Sequence, residues 1–137
     1  MECATAHIAE FKAMLCPVVT ESMSDIARIS RNFPKKNFVS DDAAYNSRSD
    51  ETHRYLKNNH RHLLYLTLIS YSFIEKFPFI RHVDVMNASE YDKLIIIMAA
   101  VGLPNKEISN ILLSDIRSIN TIRCRRKEII NRVSILP

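Results

Sequence analysis

Glycine is almost absent: Gly102 is the one glycine in a chain of 137 residues. Strand-rich folds draw on several glycines for tight turns and bulges, so the scarcity points to helices. It also excludes the common nucleotide-binding loops, because neither a G-x-G-x-x-G turn nor a P-loop can be written with a single glycine. Cysteine is scarce as well. Cys3, Cys16 and Cys124 are odd in number and show no C-x-x-C spacing, which leaves neither a disulfide framework nor a thiolate zinc site and fits a reducing cytoplasm. Long apolar runs are missing. The longest, Leu94 to Val101, is far too short to span a bilayer, and no charged segment followed by an apolar core opens the chain. The expectation is a soluble, unexported, cytoplasmic protein with no membrane partner.

What is present is apolar content, 47% of residues, enough for one core or for two small ones joined by a connector. The net charge of +4 is unevenly placed. Residues 1–86 carry eleven Lys/Arg against ten Asp/Glu, whereas residues 104–137 carry seven (Lys106, Arg117, Arg123, Arg125, Arg126, Lys127, Arg132) against three. The basic excess therefore belongs to the last quarter of the chain.

The spacing of Ile8, Phe11 and Leu15 predicts a helix over 4–15 that stops at Cys16-Pro17. A second is predicted over 18–32, closed by Pro34. Residues 34–50, with paired lysines, paired aspartates and several serines, read as a loop and the most mobile internal stretch. A long helix is predicted over 50–77, led by Ser49-Asp50-Glu51 as capping residues and apolar around much of its circumference. Residues 78–88 read as a connector. Ser89-Glu90-Tyr91-Asp92 opens a helix over 89–101 that buries Leu94, Ile97, Met98 and Val101, and Gly102 ends it as a left-handed cap. Two more helices follow, about 105–113 and about 115–132. The expected fold is all-α: an N-terminal helical domain, 1–86, that dimerises or receives a signal, and a C-terminal domain, 87–137.

Two short helices joined by a tight turn pack through Ile108, Leu112 and Ile119, leaving the last helix one apolar face and one basic, polar face suited to the major groove. On that face Arg117, Ser118, Asn120, Thr121 and Cys124 recur at helical spacing, with Arg123, Arg125 and Lys127 within reach of phosphates. Asparagine reads adenine bidentately and arginine reads guanine, so Asn120 and Arg117 are candidate base readers. Lys106 and the N-terminus of its helix suit a backbone phosphate.

The stretch Gly102 to Val133, GLPNKEISNILLSDIRSINTIRCRRKEIINRV, resembles the helix-turn-helix of the LuxR/NarL regulators. Gly102, Leu103, Pro104, Asn105, Lys106, Glu107 and Ile108 match the family's G-L-[SP]-N-K-E-I opening, and Ser118-Ile119 match its [ST]-V pair. The resemblance covers about forty-five residues, from Ser89 on. It departs at Ser109, where alanine is usual, and at Ser114 and Asp115, where a branched apolar residue and Ser or Thr are usual. The resemblance implies a transcriptional regulator that binds double-stranded DNA, with Asn120, Thr121 and Cys124 facing the groove and Lys106 and Ser118 on the backbone. A homodimer on two half-sites goes with it. Nothing upstream resembles a receiver or acyl-lactone domain.

Other readings stand beside this one. An interaction module that grips RNA polymerase or another regulator uses the same helices without reading DNA. The amino-terminal helices are a third candidate, as a site for a small apolar ligand. No cofactor is called for. His53, His60 and His62 share a helix but not a ligand spacing, so they read as surface residues rather than a metal site. Cys124 reads as a polar filler before a redox switch, and no nucleophile–base pair sits at informative spacing, so an enzyme is not expected.

Overall fold

The computed structural model describes residues 2–32 and 43–134. These residues form eight α-helices and no strand: α1 (Glu2–Asn32), α2 (Ala43–Leu68), α3 (Tyr71–Lys76), α4 (Ile80–Asp84), α5 (Glu90–Val101), α6 (Asn105–Leu112), α7 (Ile116–Arg125) and α8 (Lys127–Ser134). The all-helical class foreseen from the missing glycines is the class observed.

Its centre is α5. Ser89, in an extended conformation, accepts a hydrogen bond from the Asp92 N–H through its side chain, and Glu90 and Asp92 place negative charge in the first turn. Gly102, at φ 114°, ends the helix in the left-handed region and turns its N–H back to the Met98 and Ala99 carbonyls. Between these caps Leu94, Ile95, Ile96, Ile97, Met98 and Ala99 are all buried. A helix apolar on every side must be covered on every side. Here α1, α2, α4, α6, α7 and α8 all pack on it. The buried side chains form one cluster, from Phe11 to Val133, that crosses position 86.

Five features differ from expectation. α1 continues through Pro17. Proline inside a helix removes a hydrogen bond and crowds the carbonyl four residues back, at about 3 kcal/mol. Phe11 and Leu15 before it, and Ser22 after it, are all buried, so both halves are held by the same packing. α2 starts at Ala43, which puts Ser49, Asp50 and Glu51 inside the helix rather than at its cap. It ends at Leu68 because Thr67 and Ser70 bond the chain locally: Thr67 Oγ1 donates to the Leu63 carbonyl and Ser70 Oγ to that of Thr67. The predicted single helix over 50–77 is thus two. The connector 78–88 contains α4, whose Ile80 and Val83 are buried. Finally, the helix expected over 115–132 breaks at Arg126, whose guanidinium reaches Asp92 on α5 at 3.0 Å. The predicted stop at Pro34, and residues 34–42 of the predicted loop with Asp41-Asp42, lie outside the described residues.

Among the described residues no helix is long and apolar enough to cross a membrane.

Candidate nucleic-acid interface

α6 and α7 are joined by Leu113, Ser114 and Asp115. Ile108 and Leu112 of α6 and Ile119 and Ile122 of α7 are buried, and α5 packs against both helices. The turn is made by specific bonds. Leu113 adopts φ 56°, ψ 50°, the left-handed conformation that costs a non-glycine residue about 1–2 kcal/mol. The Leu113 and Ser114 N–H groups both donate to the Ser109 carbonyl, and the Ser109 hydroxyl donates to the Ser114 carbonyl. The Ser114 hydroxyl bonds that of Tyr91 on α5. Asp115 caps α7 by accepting from the Arg117 N–H at 2.9 Å, and that bond holds its carboxyl below the usual range. The three positions that depart from the LuxR/NarL pattern, Ser109, Ser114 and Asp115, are therefore occupied by groups that bond the turn shut.

Opposite Ile119 and Ile122, the α7 side chains Arg117, Asn120, Thr121 and Cys124 are exposed in one line, with Ser118 beside them. Lys106, Arg125 and Lys127 are exposed as well. Arg117 lies 3.6 Å from the Asp115 carboxylate in open solvent, an interaction that water and salt screen. Thr121 Oγ1 donates to the Arg117 carbonyl one turn back, and Asn105 Nδ2 approaches Asn120 Oδ1 at 3.4 Å, joining the start of α6 to this face. Asn120, Arg123, Cys124, Lys127, Ile130 and Asn131 line a concavity of about 330 Å³ between α7 and α8.

Arg123 differs from the sequence reading. One nitrogen, Nη1, donates to the Leu103 carbonyl at 2.8 Å and to Asn105 Oδ1 at 2.9 Å. It ties α7 to the Gly102–Asn105 segment and is not a free cation on the outer face. Arg126 is likewise turned inward to Asp92. Among the described residues, the exposed basic side chains of α6 to α8 are thus Lys106, Arg117, Arg125, Lys127 and Arg132.

Sequence reasoning missed two residues of α2. His60, expected on the surface, is 0% exposed. Its Nε2 lies 2.7 Å from the Ile111 carbonyl and its Nδ1 2.6 Å from Ser22 Oγ on α1. Arg61 donates from Nε to the Leu112 carbonyl at 2.9 Å and from Nη2 to the Leu113 carbonyl at 3.0 Å, with its guanidinium 5.1 Å over the Tyr91 ring. The last carbonyls of a helix have no partner within it. At α6, side chains from α2 supply those partners. Burial pushes the His60 pKa below its ordinary value, aided by the Arg61 charge and opposed by the bond to Ile111. The only sequence signal available was the spacing of His60 from Leu56 and Leu64, which places all three on one face.

Among the described residues no group of three or more His, Cys, Asp or Glu side chains is placed to hold a metal ion. A groove of about 240 Å³ between α1 and α6 is lined by Leu15, Val19 and Ile111 together with Lys12, Cys16, Glu107 and Asn110. No protein-family model, curated protein or solved structure matches the chain.

Proposed function

We propose that this chain is a sequence-specific DNA-binding transcriptional regulator of the LuxR/NarL type, with α7 as the reading helix in the major groove. The observation that carries the reading is the exposed line Arg117, Asn120, Thr121 and Cys124, backed by buried Ile119 and Ile122 and flanked by Lys106, Arg125 and Lys127. Arg117 and Asn120 have the donor and acceptor geometry for guanine and adenine edges. Lys106, in the first turn of α6, stands where a helix N-terminus and an ammonium together favour a phosphate. A homodimer reads two half-sites, as two-fold DNA symmetry requires of a short reading helix.

Binding then falls steeply with salt, with a slope set by the phosphate contacts. Arg117→Ala and Asn120→Ala relax preference at particular base pairs, whereas Lys106→Ala weakens all sequences alike. Binding-site titrations over a salt series test this. Three variants that bind a chosen site as the parent does refute the assignment of α7.

A second reading rests on a different observation. Tyr55, Leu63, Leu66, Tyr71 and Val85 are large apolar side chains left exposed, and the engagement of Arg123 thins the basic surface. These favour a protein partner such as RNA polymerase or another regulator, gripped by the same helices. Retention on heparin without enrichment of any DNA sequence distinguishes it.

A further inference from the structure

α2 packs on α5 and α6, and its side chains take the carbonyls of Ile111, Leu112 and Leu113, the last three residues before Ser114. Leu113 is the residue held in the left-handed conformation, and Asp115, which caps α7, follows two positions later. A strained turn keeps its shape only while its surroundings hold it. Beside the local bonds of Ser109, Ser114 and Tyr91, the groups that hold it from α2 are one imidazole and one guanidinium. We propose that His60 and Arg61 are positioning residues for α7, and that protonation of His60 releases the α6–α7 turn, making presentation of the α7 face acid-sensitive. The consequence for DNA rests on the reading of α7 given above; the release of the turn does not.

The proton placement follows from the partners. A carbonyl only accepts, so Nε2 carries the hydrogen toward Ile111, whereas the Ser22 hydroxyl can donate to Nδ1 or accept from it. Burial and the neighbouring Arg61 charge favour the neutral ring, in which Nδ1 accepts from Ser22. An imidazolium in this place is enclosed and lies beside the Arg61 cation, and among the described residues no carboxylate bonds to His60 or to Arg61. Among the described residues, the titratable groups on the surrounding helices supply no counter-charge. On α1, Glu21 and Arg28 are exposed; on α6, Glu107 is engaged by Lys12; on α5, Glu90 is engaged by His62, and Tyr91 lies under Arg61. The clamped state binds the proton more weakly than the released one. Its stability is accordingly complete above the ordinary histidine pKa of 6.5 and declines as pH falls from there toward the lower value of the clamped state.

The test is a pH titration of the full chain by NMR, following the His60 ring and the hydrogen-exchange protection of the Ser114 and Arg117 amides, which are bonded to the Ser109 carbonyl and to Asp115. Between pH 7.5 and 5.5 protection at these two amides should fall, by at most about tenfold per pH unit because one proton is linked. Protection within α5 should hold. His60→Gln keeps a donor for Ile111 and has nothing to titrate, so its protection should be flat; Arg61→Gln should show the released turn already at pH 7.5. The parent's own titration decides the matter even where a variant fails to fold. Protection at Ser114 and Arg117 that ignores pH in the parent, or falls equally in His60→Gln, overturns the proposal. Affinity for a selected DNA duplex, measured alongside, should weaken in acid, the opposite of what added surface charge does. An acid-sensitive turn in a chain that binds no duplex at any pH supports the clamp and removes only the reading of α7.

Discussion

Replacing Arg123 by methionine separates a structural arginine from a DNA-contacting one. Its Nη1 bonds the Leu103 carbonyl and Asn105 Oδ1, and Leu103 is fully buried, so the substitution strands a carbonyl as well as losing a charged donor. Hydrogen bonds from charged groups contribute about 1.5–3 kcal/mol each where burial is complete. Arg123 is half-buried and solvent screens part of that, so a loss of about 1–2 kcal/mol is expected for the pair. With a urea slope of roughly 2 kcal/mol/M, the unfolding midpoint followed by circular dichroism should drop by about 0.5–1 M. The salt dependence of DNA binding should hardly change. Lys127→Met should do the reverse: an unmoved midpoint and a log–log salt slope shallower by about 0.9, one phosphate contact. An Arg123→Met protein with parental stability and a shallower slope refutes the reasoning, because the guanidinium would then belong to the phosphates.

Further outcomes follow from the same packing. Gly102→Ala should destabilise by roughly 1–2 kcal/mol through positive-φ strain. The new Cβ would lie 3.1 Å from Ile8 Cδ1, the yielding tip of a side chain, so most of the loss should persist in an Ile8→Ala background in urea melts. Asp92→Ala removes the partner of Arg126, whose Nε already lacks one. With Asp92 13% and Arg126 25% exposed, the cost should be about 2–3 kcal/mol, and Asp92→Leu/Arg126→Met should recover much of it in the same assay. The Asp115 carboxyl titrates below its ordinary 3.8, so its stabilisation is complete above that pH and is lost as pH falls through the lower folded-state value. Asp115→Asn, which keeps the cap, should flatten that part of an acid-unfolding curve.

Elements whose ends are local chemistry were legible in the sequence. Ser89 through its side chain and Gly102 through its backbone freedom bracket α5, and α6 begins directly after Pro104. Boundaries that depend on distant partners were not. Pro17 reads as a stop, and only the shared burial of Phe11, Leu15 and Ser22 carries the helix through it. Arg126 reads as one more basic residue of a long helix, until Asp92, 34 positions away, draws it inward. His60 reads as a surface residue, and nothing in the sequence singles out Arg61, because their acceptors, the carbonyls of Ile111 to Leu113, lie about 51 residues downstream. The same holds for Arg123: spacing put it near a basic face, and only the fold brings it against Leu103.

Selection of bound duplexes from a random pool, with sequencing of the parent and Asn120→Ala side by side, tests the central claim most directly. The account predicts one enriched motif for the parent, two-fold symmetric, and the same motif with preference lost at a single position in each half for the variant. A parent that retains duplexes without enriching any sequence, or a variant with an unaltered motif, contradicts it.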